Sequence, residues 1–291
     1  MKEKLTIFWS KEDIMKSNSK LKKALKYVLL IFLTAIFLLP VVFMVTSSFM
    51  STEEVSEMLS FNTENFVSFK LIPEDFSLEQ YYQVFFRNGE YLSEFWNSVL
   101  ITIPTVLGQL VVSALAAFVF GKLKFPGRDK IFFVYMILLI LPIQVTLVPS
   151  YYMYQKIGLL NNVMSIILPG AFSAFGICLL RQNVRYISDS SIEAARVDGA
   201  SYIRIFFQII LPQIRGGLVA LALLTFVDTW GVVEQPLIYF TDKSKYPLSV
   251  SLSASSASPE IVFACGVMFM IPALIIYFLG EKDVRSSFSR I

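Results

Sequence analysis

The densest run of chemistry-bearing residues is Ser190-Ser191-Ile192-Glu193-Ala194-Ala195-Arg196-Val197-Asp198-Gly199-Ala200-Ser201-Tyr202-Ile203-Arg204, and the chemistry it offers is recognition, not bond making. Ser190 stands three residues before Glu193, a capping-box spacing that predicts a short helix through Arg196. Asp198-Gly199 then stops it, since glycine accepts the left-handed conformation that closes a helix, and a second helix is expected from about Ser201. Leu211-Pro212 marks the entry to the next apolar stretch. Ala194 and Ala195 would leave one helix face nearly flat, with Ile192, Val197, Ile203 and Phe206 as apolar knobs and Glu193 and Arg196 as charged anchors. Two readings stay open: a docking lever for another protein, or an amphipathic helix lying on lipid.

A second group, Asp228, Trp230, Glu234 and Gln235, interrupts an apolar stretch. An ionisable residue at membrane depth costs about 2.5 to 3.5 kcal/mol unless it meets protein or water, so these residues are expected to face a cavity. Trp230 and Glu234 are four apart and would share one helix face, suited to stacking on a sugar ring and accepting its hydroxyl protons. The alternative puts Glu234 and Gln235 at the outer headgroup level before Pro236, with Asp228 in an interhelical bond. Catalysis has little to work with. The chain has no histidine, hence neither the usual zinc ligand nor the usual neutral-pH base. Cys178 and Cys265 sit in apolar runs as small buried hydrophobes, and no nucleophile elbow or paired carboxylates at one depth occur. No Gly-x-x-x-x-Gly-Lys-Ser/Thr loop is present to cradle nucleotide phosphates, so no cofactor is expected in this chain.

The elements carrying these residues are membrane spans. With 55% hydrophobic, 15% aromatic and only 16% charged residues in 291, a soluble domain would lack polar surface. Runs of about 20 apolar residues, the length that crosses a hydrocarbon core, predict an all-α integral membrane protein with six transmembrane helices. They run over about 27–49, 97–120, 131–151, 164–180, 217–239 and 260–279, with Pro142 expected to kink the third and Pro272 inside the sixth. The first run is too long for a signal peptide and reads as a retained span. With the N-terminus inside, only Lys70, Arg87, Lys156, Lys243 and Lys245 of the 25 Lys and Arg fall outside, which places both termini in the cytoplasm. The organisation expected is a basic N-terminal segment (1–26), a six-helix transmembrane domain (27–280) and a cytoplasmic tail (281–291). Within that domain lie an acidic outer loop (50–96), long enough for a small helical cap, and the inside loop (188–212).

The inside loop resembles the cytoplasmic loop of ATP-binding-cassette importer permeases, whose pattern is Glu-Ala-Ala, three residues, Gly, nine residues, Ile, one residue, Leu-Pro. Glu193-Ala194-Ala195, Gly199, Ile209 and Leu211-Pro212 match it position for position. The resemblance implies the type I importer permease architecture, with this helix-turn-helix seated in a groove of an ATPase subunit through Glu193, Ala194, Ala195, Arg196, Asp198, Gly199, Ile203, Leu211 and Pro212. Softer matches, Phe76-Ser77-Leu78-Glu79-Gln80-Tyr81-Tyr82, Phe95-Trp96-Asn97-Ser98, Lys122-Leu123-Lys124-Phe125-Pro126-Gly127-Arg128, Pro236-Leu237-Ile238 and Tyr246-Pro247-Leu248-Ser249-Val250, are similar to the carbohydrate-uptake branch and its maltose-type six-span subunit. Gly231 departs from the Trp-Asn that many relatives carry at Trp230-Gly231. The resemblance implies a bacterial cytoplasmic membrane location, a second permease subunit as heterodimer partner, two ATPase subunits and an extracytoplasmic solute-binding protein, with membrane lipid around the bundle and no nucleic acid. In that family the sugar contacts come mainly from the other permease subunit. A permease for a peptide or polyamine would share the loop. An ion-coupled secondary transporter would instead need mid-membrane ion sites and often repeated halves, and neither is seen.

Overall fold

The computed structural model describes residues 11–59, 71–87, 89–254 and 259–288, where every regular element is helical. The basic N-terminal segment up to residue 10, the outer loop over 60–70 with Glu64 and Lys70, and the tail from 289 lie outside the described residues. The chain divides into two units, Met1–Gln80 and Tyr81–Ile291.

In the first unit, helix α1 (Lys11–Ser47) passes without interruption through the boundary expected at residue 26. No Gly or Pro stands between Lys11 and Leu39 to stop it. Its part from Lys22 to Ser47 is long and apolar enough to span a membrane. Helix α2 (Thr52–Leu59) begins where the Ser51 hydroxyl accepts the Glu54 amide at 3.3 Å. The segment after α1 folds back here: Phe49 stacks on Phe76 at 5.1 Å, the Glu54 carboxylate accepts the Glu74 amide at 3.1 Å, and the buried Gln80 side chain donates to the Met50 carbonyl. Part of the expected helical cap is therefore present.

The second unit is built on α4 (Gly89–Lys122), which follows the short α3 (Glu79–Tyr82) and a π turn (Gln83–Arg87). At 1.5 Å per residue α4 is about 50 Å long, well beyond a hydrocarbon core of about 30 Å. It starts eight residues before the expected span, so Glu90 and Glu94 of the outer loop belong to its first turns. The third apolar run is not kinked but broken: α5 (Arg128–Ile140) and α6 (Ile143–Ile157) meet at 103°. Proline pushes the preceding residue out of the helical region, and Leu141 has ψ 121°. α7 (Met164–Ala171) and α8 (Ala174–Tyr186) together make the fourth span. α9 (Asp189–Val197), α10 (Tyr202–Ile205), a second π turn (Phe206–Ile210) and α11 (Leu211–Gln213) form the inside loop. α12 (Arg215–Trp230) turns from this group by 74° and is followed by α13 (Glu234–Tyr239), α14 (Leu248–Ala254) and α15 (Pro259–Phe288). Among the described residues four helical stretches suffice to cross a membrane, and counting each bent pair as one span makes six. α15 continues unbroken through Pro272 and past the tail boundary expected at 281.

The expected fifth span is interrupted toward its C-terminal end. α12 stops at Trp230, and α13 does not start until Glu234. Pro236 has no amide hydrogen to give the Val232 carbonyl four residues back. That carbonyl accepts instead from the Ser249 hydroxyl at 2.5 Å, so the break is stabilised by the first turn of α14.

Candidate coupling loop and membrane-depth polar residues

Helix α9 starts two residues earlier than the capping-box spacing predicts. Its N-cap is Ser188, not Ser190, and neither serine caps it: their hydroxyls bond to each other at 2.6 Å. The start is held by Asp189 in the first turn, whose carboxylate accepts the Lys122 ammonium at 2.6 Å. That hydrogen bond, and then the charge of the same ammonium, hold the Asp189 carboxyl below the usual aspartate range.

The stop falls at the predicted residues. Gly199 has φ 80°, its amide donates to Arg196 at 3.1 Å, and the Ala200 amide donates to Ala195 at 2.9 Å. These paired bonds are the Schellman closure of a helix. Ser201 caps α10 by accepting the Arg204 amide at 3.3 Å. A four-residue helix cannot stand alone. α10 and the π turn are held because Ile205, Phe206 and Ile210 bury in a core with Phe118 and Ala117 of α4, Leu180 and Val184 of α8, and Leu221 of α12.

This packing sorts the predicted loop residues onto two faces. Ile192 and Ala195 lie half-buried against the chain's own core, and Phe206 is within it. Glu193, Ala194 and Val197, spaced i, i+1 and i+4, are exposed on the opposite face, and Asp198, Gly199 and Ile203 continue it. The predicted flat alanine pair is thus split, and of the four predicted knobs only Val197 (87% exposed) and Ile203 (72%) point outward. Arg196 is exposed but engaged, its guanidinium 4.3 Å from the centre of the Tyr202 ring across the Gly199 turn. Leu211 is half-buried and Pro212 exposed, just ahead of the 74° bend.

The second group does not form one site. Trp230 is 3% exposed, stacked between Phe226 (5.3 Å) and Phe269 (5.7 Å), and its indole N–H donates to the Phe269 carbonyl at 3.0 Å. It lines an apolar groove of about 350 Å³ with Phe95, Val99, Met268 and Pro272. Because the helix ends at Trp230, Glu234 shares no helix face with it, and the stacking-plus-acceptor pair is not assembled. Glu234 is exposed and accepts the Gln144 amide at 3.3 Å through both oxygens. Gln144 comes from the first turn of α6, where the Pro142 break places it; sequence reasoning missed this partner. Gln235 is half-buried, and Asp228 is exposed on α12 beside the exposed Leu224 and Val227. Among the described residues no group of His, Cys, Asp or Glu could hold a metal ion. Both cysteines are free and buried, as their apolar surroundings predict.

Several helices long and apolar enough to cross a membrane, with a two-helix element rooted among them, define a polytopic membrane protein. The chain belongs to the family of binding-protein-dependent transport system inner membrane components, whose model matches residues 84–282. It is an importer permease subunit, a transport component and not an enzyme. It is 28% identical to the diacetylchitobiose uptake system permease protein NgcG of Streptomyces coelicolor, covering 94% of this chain and 90% of that protein. The arabinooligosaccharides transport system permease protein AraQ of Halalkalibacterium halodurans is 26% identical over 86% of this chain and 89% of its own length. The sn-glycerol-3-phosphate transport system permease protein UgpE of Shigella flexneri is 29% identical over 73% and 79%. Among solved structures, a chain of a bacterial ABC transporter involved in the import of the acidic polysaccharide alginate matches with TM-score 0.78 at 24% identity, covering 95% of this chain and 99% of that one. That likeness is one of fold.

Proposed function

We propose that this chain is one permease half of an ATP-driven carbohydrate importer, and that α9 and α10 seat in an ATPase subunit at the inner membrane face. The observation that carries the coupling role is the two-sided construction of the loop. Ile205, Phe206 and Ile210 root it in the spans, while Glu193, Ala194, Val197 and Ile203 form a small exposed face with apolar and charged members. An element held this firmly moves as a body with α4, α8 and α12, which is what transmitting a push requires. A second permease subunit completes the path. A solute-binding protein delivers cargo from outside, and both termini are cytoplasmic, in keeping with the distribution of basic residues. A ligand that binds the outward state better supplies the differential affinity that alternation needs.

Carbohydrate cargo is favoured over a phosphorylated polyol because the relatives named for oligosaccharides match over more of this chain than the one named for sn-glycerol-3-phosphate. Two measurements test the reading. Tagged protein should bring down an ATPase, and Glu193→Lys should abolish that capture; an ATPase retained by Glu193→Lys would sink the docking face. Reconstituted complex with its binding protein should import a labelled oligosaccharide, and import of glycerol phosphate alone would remove the cargo assignment. Asp228, Glu234 and Gln235 form the polar part of the surface we assign to the path, with Trp230 as packing behind it.

A further inference from the structure

Lys122 closes the last turn of α4, and in the sequence it is one more basic residue on the inner side. The structure gives it a different environment. Its side chain is 6% exposed, although the Asp189 side chain it meets is 76% exposed. The ammonium donates to the Asp189 carboxylate at 2.6 Å and to the Ile187 carbonyl. Ile187 is the C-cap of α8, and Asp189 lies in the first turn of α9. One buried cation therefore ties together the ends of three helices. The reach is short because α4 and α8 approach closely just before it: a Cβ on Gly121 would stand 2.7 Å from Val184.

The other holds on α9 are of a different kind. Ile192 and Ala195 pack by apolar contact, which resists separation but tolerates sliding and rotation about the helix axis. No side chain caps the helix start. The directional bonds from Lys122 are what fix the angle at which α9 leaves α8. We propose that Lys122 is the positioning residue that locks α9 to α4 and α8, so that a push on α9 is delivered to the spans and not dissipated by rotation of α9 on its own core. The inference rests on the coupling role of α9 proposed above.

The test uses the whole complex in proteoliposomes with its binding protein, comparing Lys122→Met, Lys122→Arg and Asp189→Asn with the unaltered protein. Three quantities are read: ATPase captured per permease, ATP hydrolysed, and solute imported per ATP. Lys122→Met keeps the ATPase bound, yet solute imported per ATP falls roughly tenfold, the scale expected from losing charge-assisted hydrogen bonds. Lys122→Arg recovers most of the ratio, and Asp189→Asn, which keeps the Ile187 bond, falls between. An unchanged ratio in Lys122→Met overturns the proposal, as does loss of ATPase capture, which would make Lys122 part of the docking surface. If Lys122→Met does not assemble, Asp189→Asn decides: a lowered ratio supports the lock, and an unaltered one overturns it. Glu193→Lys in parallel separates the two ideas, since ATPase retained by that variant defeats the coupling reading itself whatever Lys122 does.

Discussion

Gly199 offers the sharpest test of how the inside loop works, because the structure separates two effects that a substitution normally mixes. Its φ is 80°, a conformation that costs a residue with a Cβ roughly 1–2 kcal/mol. A Cβ built there meets no heavy atom within 4 Å. Backbone strain is therefore the whole intramolecular penalty of Gly199→Ala, and it lowers the population of the closed turn by a factor of roughly 5–30. Asn tolerates the left-handed region better than Ala despite being larger, so Gly199→Asn is expected to lose less. A β-branched Val at this position loses most. The assay is ATPase captured per permease together with solute uptake, measured across Asn, Ala and Val. The expected order of retained coupling is Gly, Asn, Ala, Val. An order set by side-chain size, with Ala best and Asn worse, would refute the strain argument and show that the position is limited by space inside the ATPase groove.

Three further outcomes follow from the geometry. Gly176 sits where α8 crosses α4, and an added Cβ would overlap the Ser113 hydroxyl and crowd Gln109 and Leu221; Gly176→Ala should destabilise the bundle by about 1–3 kcal/mol in a denaturant titration, and adding Ser113→Gly should recover part of it, whereas fully additive losses would contradict a direct clash with Ser113. Trp230→Phe keeps the stack but loses the bond to the Phe269 carbonyl, which should lower stability by about 0.5–1.5 kcal/mol and leave solute preference unchanged; altered preference in competition uptake would place the indole on the path after all. The Asp189 carboxyl is lowered by its bond to Lys122, so its stabilising contribution is complete above the unfolded-state value and is lost only as pH falls through the lowered folded-state value. The difference in coupling between the unaltered protein and Asp189→Asn should accordingly stay constant from about pH 8 down to about pH 5, and a difference that shrank within that window would contradict the assignment.

What the sequence made legible were features written in short range. The spans follow from apolar runs and charge, and the Gly199 turn follows from Asp198-Gly199, because a left-handed closure depends on one residue type at one place. The family resemblance added the ATPase we propose as the partner for that turn. Three things were not legible, each for a physical reason. Ser190 and Glu193 have capping-box spacing, but the helix starts at Ser188–Asp189 because Lys122, 67 residues earlier in the chain, holds that end. Which loop residues face outward depends on what lies beneath, and Phe206 reads as a knob until Phe118 is known to meet it at 5.7 Å. The Trp230–Glu234 pair fails because a proline at 236 acts backwards on the Val232 carbonyl, and the hydroxyl that rescues the break comes from Ser249. The same break frees Glu234 from the helix of Trp230, and the Pro142 break carries Gln144 to it. Two prolines, each disruptive locally, thus determine which polar side chains meet at that end of the bundle. Restoring the helix by Pro236→Ala should pull Glu234 back toward the α12 face and away from Gln144. A cysteine pair at 144 and 234 that crosslinks in the unaltered background and equally well with Pro236→Ala would show that the break does not position Glu234.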